Sequence, residues 1–319
     1  MLAFYVHNLS PFLIRFGDGF GIRWYGLAYI LGFLVGTLLY RKLAQRGYSD
    51  LAPDQVADFI TWGALFGVVL GGRLGYMLLY DLDGFLQNPF LIFRVWEGGM
   101  ASHGGIIGLA LYTLWYSWRH HVSWLNLGDN LVVVAPIGLF LGRCANFING
   151  ELFGRATTVW WAIQFPKEIV FFPPGFTLRM LEDTAAIDPK FSNVDAVIEG
   201  VSSSPALHDY LATILTPRYP SQLLEAALEG VLLFSLLWLL RTRCRLPNGI
   251  ITGIFFIAYA LLRIVGEFFR EPDAPLTGML TRGQFLSLFL ILIGMGFIIA
   301  ALLRPRYPRS FAERKACFS

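Results

Sequence analysis

The sequence predicts an all-α polytopic membrane protein, with about seven transmembrane helices and a small periplasmic cap domain. Three observations carry that prediction. Of 319 residues, 55% are hydrophobic and only 15% are charged, whereas soluble domains carry about 25% charged residues. Seven stretches reach or approach the roughly 20 apolar residues that cross a hydrocarbon layer. One long segment, 151–220, breaks the pattern and is richer in Pro, Ser and Asp. So few charges could not cover the surface of a water-soluble chain of this length.

The elements follow in order. The first expected span, 22–40, opens on Trp24 and Tyr25. The second, 59–80, carries Gly67, Gly71 and Gly75 at four-residue spacing, together with Arg73. A glycine-dense stretch, Gly98 to Gly105, leads into the third and shortest, 103–118. The fourth, 131–148, holds Gly138 and Gly142. Small residues four apart let helix backbones approach closely in lipid. The middle of the cap, 174–205, shows no clear helical period and is expected to hold loops. Spans 222–240, 249–269 and 283–303 complete the set. The expected organisation is therefore four membrane helices in 1–150, a cap in 151–220, three helices in 221–304 and a cytoplasmic tail in 305–319.

Sidedness follows from the short loops, because Lys and Arg accumulate on the cytoplasmic side. Arg41, Lys42 and Arg46 follow span one, Arg119 follows three, and Arg241, Arg243 and Arg245 follow five. Arg304, Arg306, Arg309, Arg314 and Lys315 follow seven, while the alternate loops hold only Arg94, Arg270 and Arg282. The N-terminus is expected to be periplasmic and the C-terminus cytoplasmic. The start of the chain lacks a basic region followed by a small-residue cleavage site, so no cleavable leader is expected.

Other classes fall away. The net charge is only +3, with no lysine-rich face and no zinc spacing, so nucleic acid is not an expected partner. Three widely separated cysteines do not make a disulfide-stapled secreted domain. No His/Cys/Asp cluster has ligand spacing, so neither metal nor cofactor is expected.

Charges inside apolar spans are costly, about 2.5–3.5 kcal/mol each at the membrane centre, and point to function. Here they are Arg73, Arg143, Glu225, Glu229, Arg263 and Glu267, with His103 and Glu151 at span ends. With the sidedness above, they gather in the outer half of the bilayer. Tyr259, Arg263 and Glu267 share one helix face, as do Glu225 and Glu229, and Arg143, Asn146 and Asn149 form a polar stripe. The glutamates could pair with the arginines as interhelical glue. Equally, the guanidinium fork suits a phosphate, and the depth suits a lipid headgroup. His103, in its glycine-rich setting, is a candidate general base.

These residues resemble a known family, the bacterial prolipoprotein diacylglyceryl transferases. The strongest match is Gly142-Arg143-Cys144-Ala145-Asn146-Phe147-Ile148-Asn149-Gly150-Glu151-Leu152-Phe153-Gly154, which is similar to the family signature Gly-Arg-x-Gly-Asn-Phe-x-Asn-x-Glu-x-x-Gly. Further blocks are Arg23-Trp24-Tyr25-Gly26, Gly71-Gly72-Arg73-Leu74-Gly75-Tyr76, Arg94-Val95-Trp96-Glu97-Gly98-Gly99-Met100 with Ser102-His103-Gly104-Gly105, and Arg263 to Arg270. Two departures stand out. Ala145 replaces a usual Gly, and Tyr219-Pro220-Ser221-Gln222-Leu223-Leu224-Glu225 lacks the His and Tyr of the family's His-Pro-[Ser/Thr]-Gln-Leu-Tyr-Glu.

The resemblance implies an enzyme of the bacterial inner membrane. It would move the diacylglyceryl group of phosphatidylglycerol to the lipobox cysteine of a prolipoprotein signal peptide, releasing glycerol phosphate. In that reaction Arg143 and Arg263 are expected to hold the departing phosphate, and His103 to take the thiol proton or orient the headgroup. Asn146, Asn149, Glu151 and Gly154 would shape the headgroup pocket, with Tyr25, Tyr259 and Arg73 contacting lipid and Glu267 fixing Arg263. The rival class is a transporter or flippase for an anionic lipid. It would show inverted or parallel repeats and a midplane site; here the only internal echo is Gly72-Arg73 against Gly142-Arg143.

Overall fold

The computed structural model describes residues 4–17, 20–94, 98–271 and 281–303. The expected tail at 305–319 and positions 95–97 of the resemblance lie outside the described residues. Ten helices carry the argument: α1 (Trp24–Gln45), α2 (Gln55–Tyr80), α3 (Ser102–His120), α4 (Trp124–Ile148), α5 (Pro174–Ile187), α6 (Val194–Gly200), α7 (Pro205–Ile214), α8 (Ser221–Arg243), α9 (Ile250–Glu267) and α10 (Arg282–Leu303). Among the described residues, α1, α2, α4, α8, α9 and residues Gly283–Leu303 of α10 are long and apolar enough to cross a membrane. The segment expected as the third span is helical over 19 residues as α3, but is not among those six. The chain is a multi-pass, all-α membrane protein with little sheet.

By backbone contacts the chain divides into two units. The first comprises Met1–Gly32, Pro136–Ser235 and Phe256–Ile293; the second comprises Phe33–Ala135, Leu236–Phe255 and Gly294–Ser319.

In the second unit, α2 and α3 meet through glycine. A Cβ placed on Gly71 would lie 2.7 Å from the Gly104 carbonyl oxygen and 2.9 Å from Gly108 Cα, and one on Gly75 would lie 2.5 Å from Gly104 Cα. Two glycine rows thus bring the backbones together, as the four-residue spacing predicts. At the start of α4, Asp129 and Asn130 are completely buried. Asp129 accepts hydrogen bonds from the backbone N–H of Gly249 and Thr252 and from the Thr252 hydroxyl, each at 2.8 Å. Arg241 donates to Asn130 Oδ1 at 3.2 Å and to the Tyr48 carbonyl, and stands 3.7 Å from Asp129. This network explains why α4 starts at Trp124 rather than 131. Hydropathy reads Asn126, Asp129 and Asn130 as loop, whereas their partners let the helix continue through them. Arg241, counted above as a loop charge, is buried within α8.

In the first unit, short strands precede α1. β1 (Tyr5–Val6) pairs in parallel with β4 (Ile163–Gln164), which pairs antiparallel with β5 (Pro217–Arg218). β2 (Phe12–Gly17) and β3 (Phe20–Arg23) form an antiparallel hairpin, so α1 begins at Trp24 instead of 22.

The region 174–205, expected to hold loops, is largely helical. α5, α6 and α7 bury Met180, Val197, Leu207 and Leu211 around Val6, Ile169 and Phe191. Asn193 and Ser204 cap α6 and α7 by accepting from the N–H of Ala196 and Leu207. Helices of 14, 7 and 10 residues are too short to reveal a period over a long window, and their caps and prolines read as loop.

Candidate functional site

Of the polar stripe at the end of α4, Arg143 meets α8, while Asn146 turns to Tyr25 and Glu151. Gly230 makes the approach to α8 possible, since a Cβ there would lie 2.6 Å from Phe140 Cβ. Phe140 is one turn before Arg143, and Gly230 follows Glu229. Residues Ala226–Leu232 of α8 are wound as a π-helix, a rare turn that is frequent at functional sites. On the other side Gly266 of α9 lies against Glu225, with 3.3 Å between a placed Cβ and Glu225 Cγ.

The result is a shared ion network. Arg143 reaches Glu225 at 2.8 Å and Glu229 at 3.1 Å. Arg263 reaches the same two carboxylates at 2.8 and 3.4 Å, and Glu267, one turn along α9, at 2.8 Å. Arg270 approaches Glu225 at 3.5 Å. Glu225 and Glu229 are fully buried. Three guanidinium groups and three carboxylates therefore balance in charge. Removing one member strands a buried ion, at a cost of about 3–5 kcal/mol. Arg143 and Arg263 stand together, as expected, and the expected role of Glu267 in fixing Arg263 has its contact. The glue anticipated for Glu225 and Glu229 is also present, so the arginines are not bare.

A second cluster adjoins in the same unit. The Tyr25 hydroxyl donates to Glu151 Oε1 at 2.5 Å, and Asn146 Nδ2 donates to that oxygen at 3.0 Å and also to Tyr25. Lys167 Nζ lies 3.7 Å from Glu151 Oε2. Arg143 is within electrostatic reach of Tyr25, which joins the two clusters. Tyr259 is within the same reach of Arg143, Arg263, Glu225 and Glu229.

The turn that presents Glu151 is held from several directions. Gly150 has φ +64°, the left-handed region. The His7 ring packs on it, 3.0 Å from a placed Cβ, and against Phe147 and Phe165. Burial pushes the His7 pKa down to about 4. Gln222 Nε2 donates to the Glu151 carbonyl at 2.6 Å, and the Ser221 hydroxyl to that of Leu152 at 2.9 Å. Asn149 Oδ1, Gln222 Oε1 and His7 Nε2 are buried without a hydrogen-bond partner. Gly154 serves packing: a Cβ there would lie 2.6 Å from the Tyr219 carbonyl oxygen and against that of Phe269.

Arg73 and His103 belong to the second unit. Arg73 is buried and donates to the carbonyls of Gly98, Gly99 and Leu91, the last two at 3.1 and 2.6 Å. The dense glycines thus serve first as a cradle for this arginine. His103 is exposed near the start of α3. Among the described residues no group of three or more His, Cys, Asp or Glu side chains could hold a metal ion.

The sequence reading gave no site role to Arg270, Gln222 or Lys167. Arg270 and Gln222 lie in blocks of the resemblance, which was their signal; Lys167 had none beyond its type.

A family model described as prolipoprotein diacylglyceryl transferase matches residues 11–300. The chain is 41% identical to the phosphatidylglycerol–prolipoprotein diacylglyceryl transferase of Bdellovibrio bacteriovorus, covering 91% of this chain and 92% of that one. It is 40% identical to the protein of the same name from Rhodospirillum centenum, over 93% of both chains. With that from Neisseria gonorrhoeae the identity is 38%, over 92% of this chain and 96% of the relative.

Proposed function

Because the chain belongs to the prolipoprotein diacylglyceryl transferase family, we propose that it joins the diacylglyceryl group of phosphatidylglycerol to the lipobox cysteine of a prolipoprotein signal peptide. The thiol sulfur attacks the glyceryl carbon, the carbon–oxygen bond to phosphate breaks, and glycerol phosphate leaves with the bonding electron pair. The thiol proton passes to a base. A free thiol with a pKa near 8.5 is mostly protonated at neutral pH, so a base is useful.

The observation that carries this reading is the sharing of Glu225 and Glu229 by Arg143 and Arg263. Two guanidinium forks are preset side by side, where charge grows on a departing phosphate. The same carboxylates hold both guanidinium groups in place before any lipid binds. Glu267 steadies Arg263; Tyr25, Asn146 and Glu151 form a hydrogen-bonded wall for the headgroup, with Asn149 and Tyr259 alongside. Gly154 keeps the loop after Glu151 seated, Arg73 orders the glycine-rich segment, and His103 takes the thiol proton. The site faces the periplasm from the bacterial inner membrane, with the N-terminus periplasmic, residues 151–220 as a cap, α3 as a seventh span and the C-terminus cytoplasmic.

The test is direct. Purified protein is incubated with phosphatidylglycerol and a lipobox peptide, and the peptide is weighed by mass spectrometry. A mass gain of one diacylglyceryl group with release of glycerol phosphate supports the reading. An unmodified peptide, with lipid moved across the bilayer instead, would make it a transporter.

A further inference from the structure

Lys167 is a cation held at the edge of the site, and its backbone has little freedom. It sits in the short 3₁₀ helix Pro166–Phe171. Before it, Phe165 is fully buried and stacks on Phe153 at 5.5 Å between ring centres. After it, Glu168 is buried and receives Arg218 at 2.7 Å and the Thr216 N–H at 2.9 Å. Ile169 enters the apolar core of α5–α7. With both neighbours pinned, the Lys167 side chain extends to Glu151 and stops 3.7 Å from Oε2.

That contact does not use the ammonium fully. It is long, and the two side chains keep 35% and 33% of their surface exposed; such pairs are weak because water screens them. Glu151 is already engaged through its other oxygen by Tyr25 and Asn146. Arg143 and Arg263, by contrast, are matched by buried carboxylates. Lys167 is therefore the cation of this group that can turn to an incoming anion at least cost, on a flexible four-carbon stem with three rotatable donors.

We propose that Lys167, from its place beside Glu151, contacts the phosphate of the anionic donor headgroup and so sets affinity for that lipid rather than the rate of the chemical step. The proposal rests on the transferase reading above. A phosphate could come from the lipid or from free glycerol phosphate, and the chemistry is shared.

The experiment compares the full-length protein with K167M and K167R, using phosphatidylglycerol vesicles and a lipobox peptide. For K167M the KM for lipid should rise about fivefold with kcat within about twofold, the signature of lost uniform binding. Inhibition by added glycerol phosphate should weaken in parallel, and K167R should restore most of both. An unchanged KM overturns the proposal. So does a fall in kcat alone without rescue by K167R, which would make Lys167 a prop for Glu151. A raised KM with unaltered glycerol phosphate inhibition also overturns it, since Lys167 would then sense the charged bilayer surface. Failure of the unsubstituted protein to modify the peptide would instead reject the transferase reading itself.

Discussion

Arg143 and Arg263 are bridged by the single carboxylate of Glu229, whose Oε2 meets Arg143 at 3.1 Å while Oε1 meets Arg263 at 3.4 Å. Glu225 repeats the arrangement one turn earlier, at 2.8 Å to each. The two arginines come from different helices, so their spacing is set by α8 rather than by either of their own segments. Gly230 and the π-wound turn are what let α8 do this.

Arg143→Ala should lower kcat/KM by the equivalent of about 2–4 kcal/mol, the scale of one lost donor to a developing negative charge. Arg143→Lys should recover little of it, because a point charge cannot replace the fork. The peptide-modification assay checks both. Turnover of Arg143→Ala within a few-fold of the unsubstituted protein would remove Arg143 from the phosphate site.

Glu225→Leu leaves three guanidinium groups short of a partner. Thermal unfolding in detergent should fall by the equivalent of about 3–5 kcal/mol, the cost of breaking a buried pair. A melting curve superimposable on that of the parent protein would mean the network contributes nothing net.

His7 gives a pH dependence whose sign is fixed by its environment. Its folded pKa is lowered to about 4 from an ordinary 6.5 because burial disfavours the charged ring. The unfolded chain therefore binds the proton first. Stability is full above about pH 6.5 and declines as pH falls toward about 4, reaching a loss near 2 kcal/mol at about pH 5 by proton linkage. Melting temperature measured from about pH 7.5 down to about pH 5 should drop more in the parent protein than in His7→Phe. Equal slopes would show that another group controls the acid limb.

Gly71→Val should separate α2 from α3. A side chain there meets the Gly104 carbonyl oxygen and Gly108 Cα, so backbone must shift, at about 1–3 kcal/mol for an overpacked site. Lower detergent-extracted yield and an earlier melt are expected; Gly142→Ala, with nothing within 4 Å of the added carbon, serves as the tolerant control.

His103→Gln tests the base. A rate that falls and loses its dependence on pH supports proton transfer. An unaltered rate and profile would leave His103 without a chemical part.

What the sequence made legible was what a membrane makes expensive. Long apolar runs with Arg143, Glu225 and Arg263 inside them could be read directly, because an unpartnered charge there is not tolerated. Four-residue glycine spacing likewise foretold the α2–α3 contact. Less visible was anything whose partner lies far along the chain. Asp129 and Asn130 looked like loop until Arg241 and Thr252 were found beside them. The β2–β3 hairpin, two short strands ahead of α1, lay under the larger hydropathy trend. Lys167 is set beside Glu151 by β-pairing and the apolar core of α5–α7, neither of which leaves a periodic trace.

The Asp129–Arg241 contact also has a consequence for biosynthesis. Its two halves are about 110 residues apart, so at roughly 5–20 residues per second a ribosome delivers the arginine some 5–20 seconds after the aspartate. Until then α4 carries an unmatched acid near its start into the translocation machinery, where a membrane charge is costly. Nascent chains truncated just before Arg241 should leave that helix waiting at the channel, and the second half of the polypeptide would release the first into the lipid.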